Sequence, residues 1–365
     1  MIETRYKNSV DPVRTDGRDI DPKVGTLSGE ASGQLSGPVD THLKDIAEPW
    51  KTIPMPDGSD PTYYDRPMLK EPVWEWDIPL YYYIGGTAGA SLVLGAACQL
   101  DGGRDLDDVV RRCHWTGIIG STLGGVLLIY DLGRPSRFLH MMRVFRPTSP
   151  MSMGAWILSG AAPTAITAGL FMRRPGFWGT LGEAFGYASG LFGMGLASYT
   201  GVLLGNTAVP LWQQSSRVLP VLFVGSAMAS AGSIFDVMFE HPRARRITRT
   251  FGMVGRVAEL TAGLLMEYKP SNVPRVTKPL KSGASGVLWK AATVLTAGSL
   301  VTMMLPKQTK KKRIAAGVLG TLGSLTMRYA VHHAGVASAR DAKASFHQQR
   351  AKGTGSQEEA LTMAV

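Results

Sequence analysis

Asp77 and Tyr81 stand four residues apart in Trp74-Glu75-Trp76-Asp77-Ile78-Pro79-Leu80-Tyr81-Tyr82-Tyr83, a spacing that puts a carboxylate and a phenol on one helix face. That pair suits the head of a quinone, the phenol donating to one carbonyl and the carboxylate taking a proton on oxidation. An aromatic belt with one interfacial acid is the other reading of the same residues. Consecutive tyrosines on a helix point about 100° apart, so Tyr81, Tyr82 and Tyr83 cannot all face one pocket. Tyr199 falls near the far end of a later apolar segment. If each segment crosses a membrane, that end returns to the face where the Asp77 segment begins.

Two other clusters carry ionisable groups. Tyr130-Asp131-Leu132-Gly133-Arg134-Pro135 offers Gly133 as a helix stop and Pro135 to prevent continuation, leaving Asp131 and Arg134 to pair. Downstream, residues 136–145 present Arg137, His140 and Arg143 at three-residue spacing, as on an amphipathic helix lying in a membrane surface. The loop 131–150 reads either as a docking surface for a partner or as a capped connection. Ser149-Pro150 supplies an N-cap and first helical residue. Arg256 and Glu259 lie three apart inside an apolar segment, where they can satisfy each other or form part of a proton path.

The elements that hold these groups follow from composition. The chain has 365 residues, 44% hydrophobic and 18% charged, with 43 glycines and 8 tryptophans. Globular domains average about 25% charged residues, so much of this surface does without charge. Windows of about 20 residues, the length that spans hydrocarbon as a helix, pick out 78–98, 109–130, 153–172, 185–204, 218–239, 251–266, 286–305 and 314–336. The expected fold is an all-α integral membrane protein, an eight-helix bundle over 73–339, with a long polar, largely irregular tail over 1–72 and a polar tail over 340–365. No cleavable signal is expected in 1–72. Trp74, Trp76, Trp115, Trp156, Trp178, Trp212 and Trp289 fall near segment ends, as in an aromatic belt. Glycines four apart at Gly85/Gly89, Gly120/Gly124, Gly186/Gly190 and Gly201/Gly205 let backbones approach closely in lipid.

The formal charge is +11. The basic residues punctuate apolar runs rather than interleave with aromatic and polar residues, so no nucleic-acid partner is expected. The odd loops carry fourteen Lys and Arg against nine in the even ones, which favours the odd loops in the cytoplasm and both termini outside, although Arg66, Lys70, Arg340, Lys343, Arg350 and Lys352 of the tails nearly erase the difference. Cys98 and Cys113 are too few to ligate an iron–sulfur cluster or a zinc ion. Of seven histidines only His114, His332 and His333 lie in the segments, so neither haem, cluster nor metal is expected in this chain.

Several runs together carry a family resemblance: Trp74-Glu-Trp-x-Ile-Pro-Leu-Tyr followed by Gly85-Gly86-x-Ala-Gly89; Asp131-Leu-Gly-Arg-Pro-x-Arg-Phe; Arg143-Val-Phe-x-Pro-x-Ser-Pro-Met-Ser-x-Gly-x-Trp156; and Tyr199-Thr-Gly-Val-Leu-Leu with Ala208-Val-Pro-Leu-Trp212. From residue 74 to about 339 the chain resembles the NrfD/PsrC family. The resemblance implies an eight-helix, haem-free subunit in the cell membrane that binds quinol or quinone, menaquinone or ubiquinone. The partners it implies are a ferredoxin-like iron–sulfur subunit and a molybdopterin catalytic subunit. In the polysulfide reductase branch the quinone site uses residues at the start of the first helix and a tyrosine late in the fourth. The matching positions are Ile78 and Tyr81, where that branch has Asn and His, and Tyr199, with Asp77 placed to supply what Ile78 cannot. A transporter would instead need midplane polar sites on interrupted helices. A membrane anchor with no quinone contact is the remaining alternative.

Overall fold

The computed structural model describes residues 20–21, 26–27, 69–132, 136–269 and 273–345. The chain divides into two compact units, Met1–Arg66 and Pro67–Val365. In the first, Ile20–Asp21 pairs antiparallel with Thr26–Leu27. Apart from that pairing and residues 69–72, the tail read over 1–72 lies outside the described residues, as does the sequence beyond 345.

The described residues of the second unit form helices and the turns that join them. Long helices α1 (Asp77–Asp101) and α2 (Asp107–Asp131) are followed by short α3 (Ser136–Met141), then α4 (Pro150–Phe171) and α5 (Phe177–Gly205). Short α6 (Pro210–Gln214) leads to α7 (Leu219–Met238) and α8 (Pro242–Tyr268), and short α9 (Pro274–Lys281) to α10 (Gly283–Met304) and α11 (Lys310–Arg340). Seven of these are long and apolar enough to cross a membrane: α1, α2 with the 3-10 turn before it, α4, α5, α7, α10 and α11. The eighth long helix, α8, has 27 residues, ample length to span. Arg243, Arg245, Arg246 and Arg249 crowd its first two turns, and Arg256, Glu259 and Glu267 follow. Those charges, not its length, set it apart from the other seven.

Consecutive long helices pack antiparallel, and small residues set their spacing. Along α1 and α5, Gly85 meets Leu196, Gly89 meets Gly193 and Ala197, and Gly190 meets Ala96. The partner numbers fall as those on α1 rise. The same reversal joins α1 to α2 through Gly95–Cys113, Gly117–Leu92 and Gly120–Ala88, and α7 to α8 through Gly225–Gly255 and Gly232–Gly252. Of the eight glycines in the four pairs singled out in the sequence, seven meet a neighbouring helix, and Gly205 meets Ser216 in the turn before α7. In lipid the helices gain nothing from apolar burial as such, so close backbone approach and dispersion hold them together. α1 sits among α2, α5, α7 and α11 and is among the most enclosed helices.

The helix ends follow local signals. Ser149 Oγ accepts the Ser152 N–H at 3.4 Å, with Pro150 next, and so caps α4 as expected. Thr309 Oγ1 does the same for Lys312 at 3.3 Å at the start of α11. The helix expected over 136–145 stops at Met141, because Met142 and Arg143 turn their N–H groups back to the carbonyls three residues earlier. Such a tightened turn ends a helix. Gly133 and its neighbours to Pro135 lie outside the described residues.

The aromatic belt is only partly realised. Trp76, Trp115, Trp156 and Trp178 are exposed, whereas Trp212 and Trp289 are buried. Trp212 Nε1 donates to the Val331 carbonyl at 2.9 Å and Trp289 Nε1 to Glu267 Oε2 at 3.0 Å. Each found an interior acceptor for its one polar atom, and that allows an indole to be buried.

A Cβ on Gly89 would lie 2.6 Å from the Gly193 oxygen and 2.7 Å from the Ala197 nitrogen, so the two backbones would have to part. Gly89→Ala should cost about 1–3 kcal/mol, the usual range for overpacking. Gly125→Ala on α2 meets nothing within 4 Å and should be neutral or slightly stabilising. Thermal unfolding of the two variants side by side in detergent checks this, and equal midpoints would contradict it.

Candidate functional site

Three tyrosines converge where α1 begins and α5 ends. The Tyr81 ring lies 6.1 Å from Tyr82 and 6.4 Å from Tyr199, centroid to centroid, tilted rather than stacked. Tyr82 in turn packs 5.9 Å from Phe223 of α7. All three are buried. The helices alternate direction, so the start of α1 and the ends of α2 and α5 share one face of the bundle, as the position of Tyr199 predicted.

These tyrosines line a cleft with Trp74, Ile78, Leu128, Asp131, Met151 and Leu203 among its walls. Met151 is about half exposed, so the cleft opens toward the bundle surface there. The Tyr81 and Tyr82 hydroxyls are fully enclosed and have no hydrogen-bond partner among the described residues. An unpaired buried hydroxyl costs about 1–3 kcal/mol, a cost that a ligand oxygen accepting from it would remove. Quinone carbonyls are such acceptors, so the residues present fit the group the sequence resemblance implies. Among the described residues no three His, Cys, Asp or Glu side chains converge as a metal site.

The carboxylate in the cleft wall is Asp131. Asp77 is buried at the first turn of α1, where its Oδ1 accepts the Ile78 N–H at 3.0 Å, and it does not line the cleft. The two remain electrostatic neighbours, with Glu75 a third negative charge felt by Asp131. The sequence reading placed Asp131 with the docking loop. The parity argument that located Tyr199 applies equally to the end of the second span, and it would have brought Asp131 here. Tyr82 was the other residue missed. A helical wheel separates it from Tyr81 by about 100°, but a cleft bounded by α1, α2 and α5 is wide enough to meet both.

Gly154 of α4 explains how the Tyr199 ring fits. A Cβ at that position would fall inside the ring, against its Cε2 and Cδ2 atoms. Trp74 lines the cleft as well, its indole stacked 6.0 Å from Trp212 and tilted against His332 at 6.4 Å. His332 Nε2 lies 3.2 Å from the Trp74 carbonyl, and Tyr329 donates to the Trp76 carbonyl at 2.8 Å. The segment before α1 is thereby tied to α11.

Of the proposed docking residues, His140 and Arg143 are exposed, beside Leu139, Val144 and Phe145, which are also exposed. Arg134, and with it the Asp131–Arg134 pair, lies outside the described residues, as does the Arg137 side chain.

Arg256 and Glu259 do not pair. Arg256 donates to Ser299 Oγ at 2.8 Å and Ser233 Oγ at 2.6 Å, while Glu259 Oε2 accepts from Ser324 Oγ at 3.3 Å. One reaches toward α7 and α10, the other toward α11, so hydroxyls of neighbouring helices take the place of the direct pairing that was one of the two readings of these residues, and Arg256 Nη1 keeps no partner among the described residues. Arg328 of α11 is buried beside them, over the Phe223 ring at 3.9 Å and donating to the Phe223 carbonyl at 2.7 Å.

A bundle of lipid-length helices with an aromatic cleft at one end defines a multi-pass helical membrane protein. The polysulphide reductase, NrfD family model matches residues 66–338, about three quarters of the sequence, and the protein belongs to that family. It is also 26% identical over 183 residues to the C subunit of the polysulfide reductase of Wolinella succinogenes, a match covering 43% of this protein and 55% of that one. The match thus spans about half the length of that curated relative.

Gly154→Ala should drive the Tyr199 ring out of place and cost about 1–3 kcal/mol. With Tyr199→Ala as background the added methyl has room, and the cost should shrink. A double-mutant cycle read by thermal unfolding checks the contact, since independent residues would give additive effects.

Proposed function

We propose that the protein is the membrane subunit of a redox complex and binds a quinol or quinone head in the tyrosine cleft, at the face where Asp131 stands. One observation carries the reading: two enclosed phenol hydroxyls, those of Tyr81 and Tyr82, have no acceptor among the described residues, and their side chains line a cleft that also holds a carboxylate. A pure anchor gains nothing from that arrangement.

A bound quinol supplies two electrons and two protons. Tyr81 and Tyr82 donate hydrogen bonds that orient an oxygen acceptor, and Tyr199 packs against Tyr81 and holds it in place. Asp131, half-buried at the end of α2, takes the two protons in turn at its carboxylate, passing the first toward the surface before it accepts the second. Asp77, held by the backbone one helical turn before Tyr81, adds negative charge beside it. The electrons pass to a partner. Exposed apolar and basic residues of α3 and the following turn lie against the cleft, since Met141 also lines it. An iron–sulfur subunit docked there would stand near the ring, with a molybdopterin catalytic subunit beyond it. The buried string of Arg256, Glu259, Ser233, Ser299 and Ser324 is the candidate proton path.

Tyr81→Phe, Tyr82→Phe and Asp131→Asn should each slow quinone-linked turnover of the complex by about 10²-fold, the scale of a lost general acid–base contribution. Asp77→Asn should do less, because its carboxylate is turned to the backbone. Turnover with a soluble electron carrier should persist in all four. Wild-type quinone-linked rates in the first three would remove the site from this cleft and make Glu259 the next candidate.

Charge reversal at Arg137 and Arg143 should release the iron–sulfur partner while the subunit still inserts into membranes. Co-purification of the membrane fraction checks it, and a fully retained complex would return this loop to a capped connection.

A further inference from the structure

The opposite face of the bundle, where α7 ends and α8 begins, carries a second cleft of about 390 Å³, with Asp236, Arg245, Arg246, Arg249 and Met253 among its lining residues. The basic residues around it divide by what they already bind. Arg243 is engaged by Asp101 at 2.6 Å and Asp105 at 3.1 Å. Arg313 donates to the Asp236 and Phe239 carbonyls at 2.5 and 2.7 Å. Arg249 donates to the Met303 carbonyl, bringing the end of α10 alongside. Arg245 and Arg246 form no ion pair among the described residues, and the Arg245 Nε is enclosed without a partner among them.

Three guanidinium groups therefore share one cleft with one carboxylate, Asp236. Arg245 and Arg249 are four residues apart on the same helical face, where like charges repel. An anion between them relieves that repulsion and accepts the unused donors. The planar fork of a guanidinium matches a phosphate, two donors to two oxygens.

The surroundings indicate which phosphate. Below Met253 the outer face of α8 exposes Val254 and Val257, and that of α10 exposes Val294 and Val301. These are side chains that meet hydrocarbon, on two of the helices that meet at this cleft. A ligand whose phosphate sits on the arginines has an apolar surface running inward from it. Basic pockets between membrane helices hold anionic headgroups in this way. We infer that Arg245, Arg246 and Arg249 form a binding site for the phosphodiester of an anionic phospholipid, with its acyl chains along α8 and α10.

The experiment uses the full-length protein, purified in detergent and stripped of lipid by repeated washing. Phosphatidylglycerol should raise its unfolding midpoint by about 5 °C, the size expected for a ligand near saturation on a protein of this length. Phosphatidylcholine, which has the same phosphodiester but sets a quaternary ammonium cation beside the guanidinium groups, and inorganic phosphate, which has no acyl chains, should each give much less. Arg245→Gln with Arg246→Gln should abolish the difference between the two lipids. Arg173→Gln with Arg174→Gln, which removes the same charge from the turn between α4 and α5, should keep it. Native mass spectrometry of the wild-type protein taken before the lipid is stripped, which does not depend on the variants folding, should find a bound anionic phospholipid. Equal shifts with both lipids, or the same loss in the two double variants, would overturn the site. A full shift from inorganic phosphate alone would make it a free-phosphate site and overturn the lipid assignment.

Discussion

The contact on which the rest of the structure depends is the close approach of α1 and α5 at Gly89 and Gly193. Helices already in lipid are not driven together by burying apolar surface, so they associate where backbones come near enough for dispersion to add up. Glycine on both sides makes that approach possible, and Gly190 against Ala96 extends it along the same seam. One more carbon at Gly89 would meet backbone rather than a side chain that can rotate away. The seam also sets the distance between Tyr81, four residues before Gly85, and Tyr199, six after Gly193. The aromatic cleft is a consequence of how near the two backbones lie.

The bundle treats its buried polar groups in two ways. Around α7, α8, α10 and α11 the interior charges are answered in part from within, Arg256 by two serines, Glu259 by Ser324 and Arg328 by a carbonyl and a ring, while Arg256 Nη1 and Arg328 Nε and Nη1 are enclosed without a partner among the described residues. Such a network is costly to build and costlier to leave open, and it knits helices whose outer faces are apolar. At the start of α1 the Tyr81 and Tyr82 hydroxyls are buried and unanswered among the described residues. A polar group left in that condition in a packed protein calls for a partner, and at the cleft the proposed ligand would supply one.

The two ends of the bundle differ chemically as well. At the tyrosine end the cleft is aromatic and its charge is acidic, from Asp131 with Asp77 and Glu75 close by. At the other end arginines dominate, some tied to Asp101, Asp105 and the carbonyls that close α7. α8 carries this difference within one helix, since its first two turns hold four arginines and its later turns face lipid with valine and leucine. A hydropathy window averages the two halves and undervalues the helix.

Much of the fold was legible because it rests on local and periodic signals. Eight apolar segments, glycines at four-residue spacing and the Ser149-Pro150 cap each depend on residues close in sequence, and each reappears in the bundle. The alternation of helix direction even placed Tyr199 beside Tyr81 across more than a hundred residues, since parity alone brings those two ends to one face. Side-chain direction was a different matter. Asp77 and Tyr81 share a helical face by spacing, yet Asp77 turns back to its own backbone and Asp131 stands in the cleft. Arg256 and Glu259 look like a pair in the sequence and are parted by serines on three other helices. Trp212 and Trp289 sit at segment ends but are buried, because Val331 and Glu267 happen to offer acceptors there. The sequence by itself determined which segments lie in the membrane and which face their ends share, since hydropathy and chain direction need no partner. Which polar atoms are satisfied and which are left open to a ligand depends on neighbours supplied by other helices, and only the tertiary structure decided that.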